Sequence, residues 1–142
     1  MGGRALNILV HVVMAALGVA GLLKVADLQQ FARSLEDWVL VPAGLRPAVV
    51  LAVPFLEIFI AASWFFSPWR RWVLVLGLVL LVGFTSVYAL HVAMVGPPQC
   101  NCFGLLERFH NFQSSSKWII GRDVAMCLPL AARVAFERRP AS

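Results

Sequence analysis

Four long apolar runs divide the chain: residues Ala5 to Leu23, Pro47 to Trp69, Trp72 to about Val95, and Trp118 to about Phe136. Each comes close to the roughly 20 residues that carry a helix across a hydrocarbon core of about 30 Å. Ala5 to Leu23 holds 19 consecutive uncharged positions, with Asn7 and His11 its only strongly polar members and Gly18 and Gly21 as flat spots for a neighbouring helix. The second run is uncharged except for Glu57 at its middle, three residues after Pro54. In the third, Thr85, Ser86, Tyr88 and His91 all fall in the half that approaches the next loop. The fourth carries an adjacent Arg122-Asp123 pair about one turn in.

The segments between the runs differ in kind. From Lys24 to Arg46, charged residues alternate with Leu28, Phe31, Leu35, Trp38 and Val39 at intervals of three or four, the period of an amphipathic helix in the membrane interface. Pro42, Gly44 and Pro47 then break the chain before it re-enters. Arg70 and Arg71 make a tight turn between Trp69 and Trp72, residues suited to headgroup level. The third connection, 96–117, begins Gly-Pro-Pro-Gln-Cys-Asn-Cys-Phe-Gly and continues into Leu105, Leu106, Phe109 and Phe112, which share one helical face. Ser115 or Ser116 is placed to cap the fourth helix. The pattern predicts an all-α fold: an integral membrane four-helix bundle, with short interfacial helices in the two extracytoplasmic loops. Residues 1–142 form one domain with spans at about 5–23, 47–69, 72–95 and 118–136.

Composition agrees with the pattern. The chain is 61% hydrophobic and only 13% charged, with a mean hydropathy of +0.82, outside the range of soluble domains. Its net charge of +5 comes from basic residues close to the apolar runs, where lipid headgroups account for them, so nucleic acid is not an expected partner. No small-x-small cleavage site follows the first run, which reads as a retained span.

Four spans put both termini and the Arg70-Arg71 turn on one side. Lysines and arginines number six a side: Arg4, Arg70, Arg71, Arg133, Arg138 and Arg139 against Lys24, Arg33, Arg46, Arg108, Lys117 and Arg122. The short, wholly basic Arg70-Arg71 turn tips the choice toward cytoplasmic termini and an extracytoplasmic cysteine loop in a bacterial inner membrane.

Polar groups inside spans are costly, and they mark where chemistry is worth seeking. A carboxylate at the bilayer centre costs about 2.5–3.5 kcal/mol on the insertion scale, so Glu57 is expected to be protonated, paired or turned to a polar cavity, whether for packing or for function. His91 has the same two readings, a hydrogen-bonded packing residue or a proton carrier. Cys100 and Cys102 are the remaining candidates. A disulfide between residues two apart needs the chain to turn between them, and a strained, exposed bridge is an oxidising, labile one. A redox pair, a metal pair joined by His110 and His91 on Cu(I) or Zn(II), and incidental cysteines all remain open on spacing alone. Cys127, deep in the fourth run, reads as a small core residue.

With Lys24, Asp27 and Phe31 in a Lys-x-x-Asp-x-x-x-Phe pattern, Pro54 and Glu57 in Pro-x-x-Glu, and Cys100-Asn101-Cys102-Phe103-Gly104 before the last span, the chain resembles the MauE/DoxX-like family of redox-associated membrane proteins. It differs in having Asn101 where that pattern commonly has Gly, and Arg122-Asp123 where it has Arg-Asn. The resemblance implies a membrane partner of extracytoplasmic thioredoxin-like proteins, linked in methylamine utilisation to disulfide formation in a periplasmic dehydrogenase subunit. The expected activity is thiol-disulfide exchange by Cys100 and Cys102 with such a protein or a client, supported by His91, Arg122, Asp123, Glu57 and Tyr88. No cofactor motif is evident; electrons need an acceptor, and a quinone in the bundle near Glu57 and Tyr88 is one candidate, though no sequence signal names it. The rivals are a non-catalytic accessory or assembly subunit of a larger membrane complex, and a Cu/Zn-binding membrane protein.

Overall fold

The computed structural model describes residues 2–66, 68–96 and 116–137. Within them the chain is helical: α1 (Gly2–Ala26), α2 (Leu28–Glu36), a 3-10 turn (Ala43–Leu45), α3 (Arg46–Phe66), α4 (Arg70–Met94) and α5 (Ser116–Glu137). Three of the helices, α1, α3 with its preceding turn, and α4, are long and apolar enough to cross a membrane. The segment Leu105–Phe112, Ser115 as a cap, and the cysteine pair lie outside the described residues.

Among the long helices, α1 packs on α3 and α5, and α4 packs on α3 and α5. The α1–α3 contact is the most extensive, and glycine brings the two backbones close. A Cβ added at Gly18 would stand 2.9 Å from Ala61 Cβ, and one at Gly21 would stand 2.9 Å from both Ile58 Cγ1 and the Pro54 carbonyl oxygen. Without side chains at these two points, the backbones approach to where dispersion replaces the missing hydrophobic drive of lipid.

α1 overruns the apolar stretch by one residue of consequence. Lys24 is helical, and its side chain turns inward rather than out to the interface. Asp27 breaks the helix immediately afterwards (φ −137°, ψ 68°), and its carboxylate accepts from Gln30 N at 2.9 Å to start α2. α2 is strongly amphipathic: Phe31 and Leu35 are buried, while Gln29, Arg33 and Glu36 face out. It lays this apolar face against α3.

Burial runs opposite to that of a soluble protein. Ile8, Phe59, Phe66 and Val79 are each more than 60% exposed, whereas Lys24, Glu57 and His91 are 8%, 4% and 2% exposed. An apolar exterior around a few buried polar groups is the arrangement lipid selects.

Candidate functional site

The inward turn of Lys24 meets Glu57, from the middle of α3. The ammonium nitrogen lies 2.5 Å from Oε1 and 2.7 Å from Oε2, so both carboxylate oxygens accept from one cation. Gly21 makes the meeting possible, since a Cβ there would stand 3.0 Å from Glu57 Cβ and force the helices apart. Taking two charges out of water costs several kcal/mol apiece, an expense that close pairing offsets only in part. The Phe31 and Phe84 rings lie 5.7 and 6.0 Å from the ammonium, adding quadrupole attraction.

The pair forms part of the wall of a partly enclosed cavity of about 90 Å³. On that measure a single water needs only about 10–15 Å³. Most of the lining is apolar or aromatic: Phe31, Leu35 and Trp38 from α2 and the turn after it, Leu81 and Phe84 from α4, Ile119 and Met126 from α5. The polar members are Lys24, Ser34, Glu57, Tyr88, Arg122 and Asp123. Arg122 and Asp123 are themselves paired, with Nη2 2.9 Å and Nε 3.0 Å from Oδ1. Two cations and two carboxylates therefore leave the cavity with no net charge.

Beside the cavity, Trp38 stacks on His91, with ring centroids 5.9 Å apart and planes at 29°, and tilts against Tyr88 at 6.0 Å. His91 Nδ1 is buried without a hydrogen-bond partner among the described residues. α4 ends one turn later at Val95 and Gly96, whose amides donate to the carbonyls of His91 and Val92 at 2.9 and 3.2 Å. Gly96 adopts φ 106°, which an L side chain rarely permits.

Of the residues singled out in the sequence, Glu57, Tyr88, Arg122 and Asp123 come together on one cavity, and His91 packs behind it without lining it. Glu57 proves to be paired, one of the three outcomes expected for it. Cys100, Cys102 and His110 lie outside the described residues, so the geometry of the thiol pair and of the metal alternative lies there too. Cys127 is half-buried against the apolar cluster around Leu130, distant in role from the polar groups. Lys24 and Trp38 escaped notice as site residues. The signal was present, because Lys-x-x-Asp-x-x-x-Phe and Pro-x-x-Glu turn out to be the two halves of one contact: Lys24 on Glu57, Phe31 beneath the ammonium, and Asp27 capping the helix that brings Phe31 there.

Three membrane-length helices, apolar faces turned outward and polar groups gathered inside define a multi-pass integral membrane protein. The chain belongs to the MauE family, whose model, methylamine utilisation protein MauE, matches residues 3–136 and thus nearly the whole sequence. No curated protein and no solved structure gives a significant match.

Proposed function

We propose that this protein is a membrane-embedded thiol-disulfide redox protein that exchanges disulfides with an extracytoplasmic thioredoxin-like or client protein through Cys100 and Cys102, as a component of methylamine utilisation. The observation that carries the reading is that α4 and α5, which flank the cysteine segment in the chain, bring Tyr88, Arg122 and Asp123 to one cavity, with His91 packed behind it. Polar groups are concentrated on the stretches that lead into and out of the thiols, and membrane interiors hold such groups where they serve a function. In the reaction, a thiolate of one partner attacks the disulfide of the other, and the mixed disulfide resolves by attack of the second cysteine.

In this reading α5 is the fourth span of a four-helix bundle, and α2 lies at the extracytoplasmic interface with its polar face in the headgroups. The balance of charges supports the orientation better once the ion pairs are recognised. Lys24 and Arg122 are taken up in pairs within helices, and Arg133 is half-buried in α5. That leaves five on the terminal side, Arg4, Arg70, Arg71, Arg138 and Arg139, against four on the other, Arg33, Arg46, Arg108 and Lys117.

Thiol trapping in intact cells tests the proposal. A membrane-impermeant maleimide is expected to reach Cys100 and Cys102 from outside after reduction, and single Cys100→Ser or Cys102→Ser variants to accumulate a mixed disulfide with the partner. Client proteins whose redox state is indifferent to both substitutions would reject the exchange, and would favour an accessory subunit.

A further inference from the structure

We propose that the cavity bounded by Lys24, Glu57, Tyr88 and Trp38 is a binding site for the ring of a membrane quinone. The inference names the electron acceptor for the exchange above and in that respect rests on it, but the argument for the ligand is independent of the cysteines.

The first constraint is charge. Lys24 is neutralised by Glu57 and Arg122 by Asp123, so the cavity offers no net charge to a fatty acid or a phospholipid headgroup. A neutral occupant fits. The second is hydrogen bonding. An ammonium has three N–H donors. Lys24 spends two on Glu57 and has no third oxygen acceptor among the described residues, only the faces of Phe31 and Phe84. Tyr88 is 4% exposed, and its hydroxyl makes no hydrogen bond to another described residue. The hydroxyl is not sealed off, since Tyr88 lines the cavity, and it is open to a partner there. Two unspent donors on one cavity call for a ligand with acceptors and no charge, and a quinone presents two carbonyl oxygens.

The third constraint is shape. The walls between the polar groups are Phe31, Phe84 and Trp38, surfaces on which a flat ring stacks. Their depth among membrane-length helices suits a ligand that arrives through lipid. Among flat neutral acceptors of this kind, the quinone also completes the chemistry. Oxidation of the Cys100 and Cys102 thiols breaks two S–H bonds, forms one S–S bond and releases two electrons and two protons. A quinone takes up both electrons and both protons at its carbonyl oxygens and leaves as the quinol.

The test is titration of the purified, detergent-solubilised protein with decylubiquinone, read by quenching of tryptophan fluorescence and by calorimetry. Saturable quenching is expected, with palmitate neither mimicking nor displacing it. Lys24→Met/Glu57→Leu, which removes both charges together, is expected to weaken binding about tenfold or more, the loss of a charge-assisted hydrogen bond. Tyr88→Phe is expected to weaken it about fivefold. Ala20 of α1 also lines the cavity, and Ala20→Phe, which fills it, should abolish saturation and serves if the double variant fails to fold. Quenching that rises linearly and equally in all variants, or saturable displacement by palmitate, would overturn the assignment. Cys100→Ser/Cys102→Ser protein is titrated in parallel and should bind as the parent does. If it does so while clients in cells ignore the same substitutions, the exchange reading fails and the quinone site stands. If exchange is lost in cells but no variant or parent saturates, the quinone site alone fails.

Discussion

Around Met14 the long helices meet side chain to side chain. Val10, Val13, Met14 and Leu17 of α1, Ile60 and Trp64 of α3, Leu74 of α4, and Leu130 and Val134 of α5 form one buried apolar cluster, and Met14 Cε reaches over Gly77 into the space its missing side chain leaves. Around Lys24 the same helices leave a cavity. There α2 and Trp38 stand between α3 and α4, the second cluster is aromatic (Phe31, Trp38, Tyr88), and the buried polar groups Lys24, Glu57 and His91 lie in or beside it. One half of the protein is a scaffold that apolar packing largely explains. The other half forgoes packing and tolerates buried charge, and stability gives no reason for that.

Breaking one side of the ion pair is the harshest test of the contrast. Lys24→Met strands the Glu57 carboxyl among apolar helices, and is expected to cost about 3–5 kcal/mol. Replacing both, as Lys24→Met/Glu57→Leu, is expected to return most of that loss or to exceed the parent, since a buried pair exchanged for apolar side chains is often neutral or stabilising. Thermal unfolding in detergent measures both. A double variant as unstable as the single would make the pair a structural staple, and the two halves would then differ less than their composition suggests.

In the scaffold half the corresponding injury is a cavity. Met14 is fully buried, and Met14→Ala is expected to cost about 2–5 kcal/mol through lost contacts and the void left beside Gly77 and Leu74. Decylubiquinone binding by the folded fraction should be unchanged, which separates the halves functionally. A loss of binding per folded molecule would show that the scaffold and the cavity are coupled.

The scaffold half was legible from the sequence, because apolar runs of membrane length and the glycines at 18 and 21 speak through local periodicity. Glu57 was conspicuous as a lone charge in a span. Its partner was not, because Lys24 sits at the margin of an apolar run, where lysines ordinarily reach out to headgroups. Whether such a side chain turns in or out depends on the close approach of α1 to α3 and on the break at Asp27, both of which are tertiary facts. Trp38 was hidden for a related reason. As a tryptophan after an amphipathic segment it suits the interface, yet it is only 6% exposed and stacks on His91.

Gly21 joins the two halves, and its substitution sharpens the comparison at a smaller scale. Gly21→Ala puts a methyl group 2.9 Å from the Pro54 carbonyl and 3.0 Å from Glu57 Cβ, so α1 must retreat from α3 at the level of the pair. Overpacking of this kind costs about 1–3 kcal/mol. Gly83→Ala, whose added Cβ meets nothing within 4 Å, is the matched control and should not destabilise.

The smallest effect expected belongs to the cap of α2. Asp27→Ala removes the acceptor of the Gln30 amide and should cost about 1 kcal/mol, the usual worth of an N-cap. Its interest lies in what moves rather than in how much. α2 carries Phe31, Ser34 and Leu35 onto the cavity and holds nothing of the Met14 cluster, so fraying its first turn loosens one wall and leaves the scaffold alone. Hydrogen exchange should quicken in 28–36 and stay as in the parent across the middle of α1 and α4. Faster exchange at Met14 and Leu74 as well would mean that the cavity half is no separate unit, and that α2 helps to hold the packed helices together.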